Sequence, residues 1–191
     1  MRRSSVVLAL AGGLLLSTGA WAQIKIGQTA GFSGSVAAGV KETTAGAQML
    51  FDAVNAQGGL QGQKIELISL DDKFDPKIAA TNAKQLIDQG VLALFLTRGT
   101  PHAQAILPLL AEHKLALVAP STGAMLLHKP VNPYVFNVRA TYQREAERAV
   151  AHLASMSVRK IAIVQVDDSF GDDAATGALK GLQVAGLQPV L

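Results

Sequence analysis

Cysteine is absent from all 191 residues, which excludes disulfides, thiolate metal sites, a cysteine nucleophile and a lipid-modified N-terminal cysteine. Charge is sparse: 16% of residues are charged and 49% are hydrophobic, too few charges for a disordered polyelectrolyte and enough apolar material for a buried core. Nor is there a strong excess of one sign. Lys and Arg number 17 against 14 Asp and Glu, and two of the cations, Arg2 and Arg3, fall in an N-terminal segment that reads as removable. The near-neutral remainder gives no basis for a nucleic-acid partner. Long apolar runs are missing too. Val6–Leu16, interrupted by Gly12 and Gly13, is about half of the roughly 20 residues that span a bilayer. With Arg2-Arg3 ahead of it and Ala20-Trp21-Ala22 as a small-x-small cleavage site, residues 1–22 read as a cleaved signal peptide. The expected product begins at Gln23 and is exported, to the periplasm in a Gram-negative source.

Signatures of nucleotide and metal chemistry are also lacking. The nearest approach to a phosphate loop, Gly34–Gly39, is followed by Val40 instead of lysine, and no Gly-x-Gly-x-x-Gly follows the first strand. His102, His113, His128 and His152 have no ligand spacing, and Asp71-Asp72 and Asp167-Asp168 do not fit a calcium loop. Neither a cofactor nor a metal is expected.

From Gln23 onward, short β-branched or leucine-rich runs alternate with helical-period segments, the pattern of an α/β protein with an open parallel sheet and helices on both faces. Strands are expected at Ile24–Gln28, Ile65–Leu70, Val91–Leu96, Leu115–Ala119, Tyr134–Val138 and Ile161–Val166. Helices are expected at Val36–Ala56, from Pro76 to a stop at Gly90, from Thr100 through Leu110, at Tyr142–Met156 and from about Gly171 to Ala185. Pro108 implies a kink or a late start in the third helix. A boundary falls near Arg139–Thr141. Residues 23–140 then form a nearly complete first lobe, and 141–191 start a second lobe that is only partly present, because one full strand and one helix after the boundary helix cannot close a two-layer core.

Ligands of such sheets collect beyond the carboxyl ends of the strands, so five loops carry the functional reading: Gly31–Gly34, Asp71–Phe74, Thr97–Thr100, Pro120–Gly123 and Asp167–Gly171. Thr100 and Ser121 stand out as hydroxyl donors ahead of helices, with helix capping as the competing role. Ala119-Pro120-Ser121-Thr122-Gly123 loosely resembles a hydrolase nucleophile elbow, but no suitable acid and histidine follow it. Phe170 is placed either to close on a ligand or to pack in the core.

The order of several stretches resembles the type I periplasmic binding proteins of branched-chain amino-acid ABC importers, the leucine/isoleucine/valine-binding family. They are Ile24-Lys25-Ile26-Gly27, Asp52 through Leu67 with its Val54-Asn55-Ala56-Gln57-Gly58-Gly59, Asp71-Asp72, Ala119-Pro120-Ser121, Asn132 through Phe136, and Asp167-Asp168-Ser169-Phe170-Gly171. The resemblance implies two lobes that close on an amino acid or related small carboxylate and present it to a membrane permease, without catalysis. It implies a carboxylate site at Thr100 with Gly99 beside it, further groups from Ser121, Thr122 and Gly123, and an aromatic contact from Phe170. Gly123 departs from a usual Ser or Thr, and Gly39 from a frequent aromatic. Arg98, beside the carboxylate loop, is either solvated or matched to a second acidic group on the ligand. Two alternatives remain at this point: a ligand-sensing receptor module of the same fold, and a serine hydrolase using Ser121.

Overall fold

The computed structural model describes residues 23–190; the proposed signal peptide lies outside the described residues. Five strands form one sheet: β1 (Ile24–Ala30), β2 (Ile65–Asp71), β3 (Ala93–Phe95), β4 (Ala116–Val118) and β5 (Val135–Phe136). Their order is β2-β1-β3-β4-β5, and every pairing is parallel. Because a parallel neighbour requires a crossover, helices α1 (Ala37–Ala56), α2 (Pro76–Asp88) and α3 (Thr100–His113) connect the first four strands. Two further helices, α4 (Tyr142–Ser155) and α5 (Ser169–Val184), follow the sheet.

Side-chain alternation in β3 assigns the faces. Leu94 is fully buried in a cluster with Ala83 and Leu86 of α2 and Ile106 and Leu110 of α3, while the next residue, Phe95, meets Phe51 of α1 with ring centroids 5.9 Å apart. The sheet is therefore covered on both faces, as its sequence pattern predicts. The third helix starts at Thr100 and continues through Pro108, so the proline neither delays nor ends it.

The joint between α1 and β2 shows how the Val-Asn-Ala-x-Gly-Gly stretch acts. Asn55 donates its amide to the Ile65 carbonyl and accepts from the Ile65 N–H, both at 2.8 Å, which clamps the helix end to the start of the strand. Between them Gly59 has φ +78, and a Cβ there would collide with the Gln63 carbonyl. The turn needs a glycine at that position.

Ile161–Val166 departs from expectation. It forms no sheet strand, and the Val190 N–H to Ile161 carbonyl bond of 3.0 Å is its one backbone bond to another segment among the described residues. Ile161 and Ile163 are half-buried, while Val164 is 97% exposed. Helices α4 and α5 pack closely against each other, with Gly181 of α5 against Val150 of α4. Asp173 of α5 accepts from Gln143 of α4 at 2.9 Å and from the Met125 N–H, in the 3-10 turn Met125–Leu127, at 3.1 Å.

A buried polar layer lies under the carboxyl ends of β1 and β2. Asp72, fully buried, accepts from the Thr29 hydroxyl at 3.1 Å and the Phe74 N–H at 2.9 Å. Asn82 donates to Thr29 and to the Asp71 carbonyl. Above this layer His102 stacks on Phe74 with centroids 4.5 Å apart, is 2% exposed, and has no hydrogen-bond partner for either ring nitrogen. Burial pushes the His102 pKa below its ordinary 6.5, opposed by the charges of Asp72, Asp75 and Asp168. Burial likewise pushes the Asp72 carboxyl up, opposed first by the Phe74 N–H.

Two outcomes follow from these contacts. Asn55→Ala removes both clamp bonds and is expected to destabilise the fold by about 1–3 kcal/mol in urea unfolding, since it strands a half-buried backbone pair; a loss below about 0.5 kcal/mol would contradict the clamp. A histidine held neutral by the fold contributes stability above its unfolded pKa and loses it as pH falls below that value. Wild type is therefore expected to lose Tm faster than His102→Phe between about pH 7.5 and 5.5, and parallel profiles would show that His102 is not held neutral.

Candidate functional site

Because all strands run one way, their carboxyl ends share one edge of the sheet. Beyond that edge lies a cleft of about 320 Å³, within the range of small-molecule sites. The sheet side supplies Val36 at the start of α1, Phe74 after β2, Arg98–Pro101 between β3 and α3, and Ser121 after β4. The opposite side supplies Arg139, Tyr142 at the start of α4, and Val166, Asp168 and Phe170 at the start of α5. The order β2-β1-β3 reverses direction at β1, and the cleft sits above this switch point, where parallel sheets open a crevice.

Backbone conformation is unusual at this edge. Phe74, Leu96 and Ala119, each just past a strand, have φ of 60, 53 and 50, left-handed values that cost non-glycine residues about 1–3 kcal/mol each. The turns are fixed by neighbouring groups: Asp71 Oδ1 accepts from the amides of Phe32, Ser33 and Lys73, and the Ser121 N–H donates to the Thr97 carbonyl at 2.8 Å. At the opening of α3, Gly99 has φ +102, and a Cβ there would come within 2.5 Å of His102 Nδ1.

Helix beginnings divide into two kinds. α2, α4 and α5 have side-chain caps from Asp75, Thr141 and Asp168. α1 and α3, which begin on the sheet side of the cleft, have none. The first-turn amides of an α-helix have no intrahelical acceptor, and this end of the helix favours anions. Thr100 is the first residue of α3 and does not cap it. Its hydroxyl lies 2.7 Å from that of Thr122, and both residues are buried. The pair carries two hydroxyl protons and the bond between them uses one, so one remains to donate elsewhere.

Five of the seven expected site residues meet here: Arg98, Gly99, Thr100, Ser121 and Phe170 line the cleft. Thr122 reaches it through Thr100. Gly123 is not on its wall: its carbonyl accepts from the Tyr142 N–H at 2.7 Å, and a Cβ on it would come within 2.5 Å of the Ala140 carbonyl oxygen, so this glycine serves the close crossing of the chain into α4. Phe170 is 39% exposed and forms an edge contact with Tyr142 at 5.0 Å.

Arg139, Tyr142, Val36 and Phe74 were not singled out as site residues in the sequence. Phe74 lies in the loop after β2 and Asp168 in the loop after the expected strand Ile161–Val166, whereas Arg139 and Tyr142 sit at the chain crossing, which no motif marks. Arg139 holds the Glu145 carboxylate with both oxygens at 2.6 and 2.7 Å and lies 4.8 Å over the Tyr142 ring; the Glu145 bond pushes its pKa further up. Asp168 is engaged by the Phe170 and Gly171 amides at 2.8 and 3.0 Å. The histidine nearest the cleft, His102, makes no bond through either nitrogen, so Ser121 has no base positioned by it. No cluster of three or more metal-ligating side chains occurs among the described residues, and no helix among them is long and apolar enough to cross a membrane.

A family profile described as periplasmic binding protein matches residues 23–191. Among relatives, the Leu/Ile/Val-binding protein homolog 3 of Brucella melitensis is 26% identical over 188 residues, covering 96% of this chain and 50% of its own length. A substrate-binding periplasmic protein from Ralstonia solanacearum superposes with a TM-score of 0.83 at 30% identity, over 87% of this chain and 48% of that one. A possible leucine/isoleucine/valine-binding protein from Rhodopirellula baltica gives 0.82 at 30% identity, over 91% and 49%. The chain thus spans about half the length of the relatives it matches. With a parallel sheet opening onto a cleft and a family match over its whole described length, the chain belongs to the periplasmic binding proteins, with the type I fold of the Leu/Ile/Val-binding group.

Proposed function

We propose that this protein is the extracytoplasmic solute-binding component of an ABC importer, exported by a cleaved signal peptide, which captures an amino acid or related small carboxylate and delivers it to a membrane permease. In this reading residues 23–140 and 141–191 belong to two lobes. The first fixes the carboxylate and the second closes over it. The observation that carries the reading is the start of α3: uncapped amides, the Gly99 turn and the buried Thr100–Thr122 hydroxyl pair, all bordering the cleft. Together they offer donors and no acceptor charge, which suits a carboxylate. Across from them, Tyr142 and Phe170 supply an aromatic wall for the rest of the ligand.

Capture is then an equilibrium between open and closed arrangements, and a ligand that touches both walls shifts it toward the closed form. No bond is made or broken. Ser121 contributes a donor to the carboxylate, and Phe170 packs on the ligand body.

The test is a thermal-shift screen of the full secreted protein against amino acids and small organic acids. A ligand at 100 times its Kd is expected to stabilise the protein by about 2.7 kcal/mol; no Tm rise with any member would contradict the reading. Thr100→Val is expected to weaken the ligand found by about 5- to 140-fold in calorimetry, as it removes the hydroxyl that borders the cleft and leaves the buried Thr122 hydroxyl without its side-chain partner. Thr100→Val with Thr122→Val, which removes both hydroxyls, should not regain affinity. Unchanged affinity in Thr100→Val would remove that hydroxyl from the site.

A further inference from the structure

We propose that Arg98 selects the ligand by charge, so that the cleft takes a dicarboxylate: two acid groups on an apolar spacer, one at the start of α3 and the other on the Arg98 guanidinium. The inference rests on the solute-binding reading above and specifies its ligand class.

The cleft has two guanidinium groups and treats them differently. Arg139 is matched by Glu145 in a two-oxygen ion pair. Arg98 has no carboxylate within ion-pair distance among the described residues, and the remaining acid on the cleft wall, Asp168, is bound by two amides of α5. One positive charge on the wall is therefore uncompensated. Its place is specific. Arg98 lines both the main cleft and a smaller hollow of about 10 Å³ beside Gln28 and Thr43, room for one water. Its Nη1 lies 3.6 Å from where a Cβ of Gly39 would be, so the guanidinium stands against this glycine in the first turn of α1, a helix start without a side-chain cap.

Closing a cleft over an unpaired guanidinium is costly unless an anion comes with it. A zwitterionic amino acid does not resolve this, because its one carboxylate is taken at α3 and its ammonium is repelled by Arg98. A second carboxylate resolves it with the fork geometry that arginine matches best. Between the two anchors Val36, Phe74, Tyr142 and Phe170 present apolar surface, which sets the spacer as hydrocarbon.

The test uses the full secreted chain and matched probes in calorimetry: linear diacids from succinate to suberate, the monoacids of equal length, and leucine. At least one diacid is expected to bind about 10- to 100-fold tighter than its monoacid. Arg98→Met should abolish that ratio, bringing the diacid down to the affinity of its monoacid, and Arg98→Lys, which keeps the charge without the fork, should retain part of it. If Arg98→Met does not fold, a full diacid preference in Arg98→Lys overturns the assignment of the fork. Monoacids or leucine binding as tightly as the diacids overturn the inference and leave the solute-binding reading standing. If no probe here and no member of the wider screen binds, both fall.

Discussion

Parallel strands cannot be joined by tight turns, and this constraint organises everything else in the molecule. Each crossover helix returns the chain to the same end of the sheet, so the segments after β1, β2, β3 and β4 all emerge at one edge. The loops there have no sheet partner and must satisfy their polar groups locally. Asp71 does this by binding three amides from two loops, and the Thr97–Ser121 backbone bond does it for the other pair. What is left unsatisfied at this edge includes the first-turn amides of α3, the buried Thr97 hydroxyl and the charge of Arg98. The surface proposed to bind ligand is thus the part of the edge that the fold does not consume.

Rigidity beneath the site has a separate origin. The Thr29–Asp72–Asn82 cluster and the Thr100–Thr122 pair are buried polar contacts that hold the loops from below, at the cost of keeping a carboxylate and a histidine away from water. His102, stacked on Phe74 and unpartnered at both nitrogens, fills space directly under the Gly99 turn. A larger residue at position 99 has no room. The glycine, the histidine and the left-handed turns therefore form one packed unit, and the direction of the α3 amides depends on it.

Much of this was legible in the sequence, for physical reasons that differ by element. α1 and α2 were read from apolar periodicity, and the Asp75-Pro76 start of α2 matches its observed cap. The strands were placed within a few residues because parallel strands are apolar throughout. The segment at Ile161–Val166 has the same composition and is not a strand among the described residues, because a strand also requires a partner and composition does not supply one. Arg98, Gly99, Thr100, Ser121 and Phe170 were singled out because the α/β pattern points to the loops after expected strands, and all five line the cleft. Gly123 lies off the cleft wall, against Ala140, a neighbour distant in sequence. Arg139 and Tyr142 were missed for the same reason, since their place on the cleft depends on how α4 packs. The Thr100–Thr122 bond could not be read either: both residues suit a cap, and only the fold shows them facing each other.

The central claim is that one ligand is held by the start of α3 and by the opposite wall at once. Hydrogen–deuterium exchange of the intact protein with and without saturating ligand tests it most directly. The account predicts slowed exchange together at Gly99–Ala103, Ser121–Gly123 and Phe170–Asp172, with the same ligand concentration dependence. Protection elsewhere, or at the α3 side alone with no change at Phe170–Asp172, would contradict it.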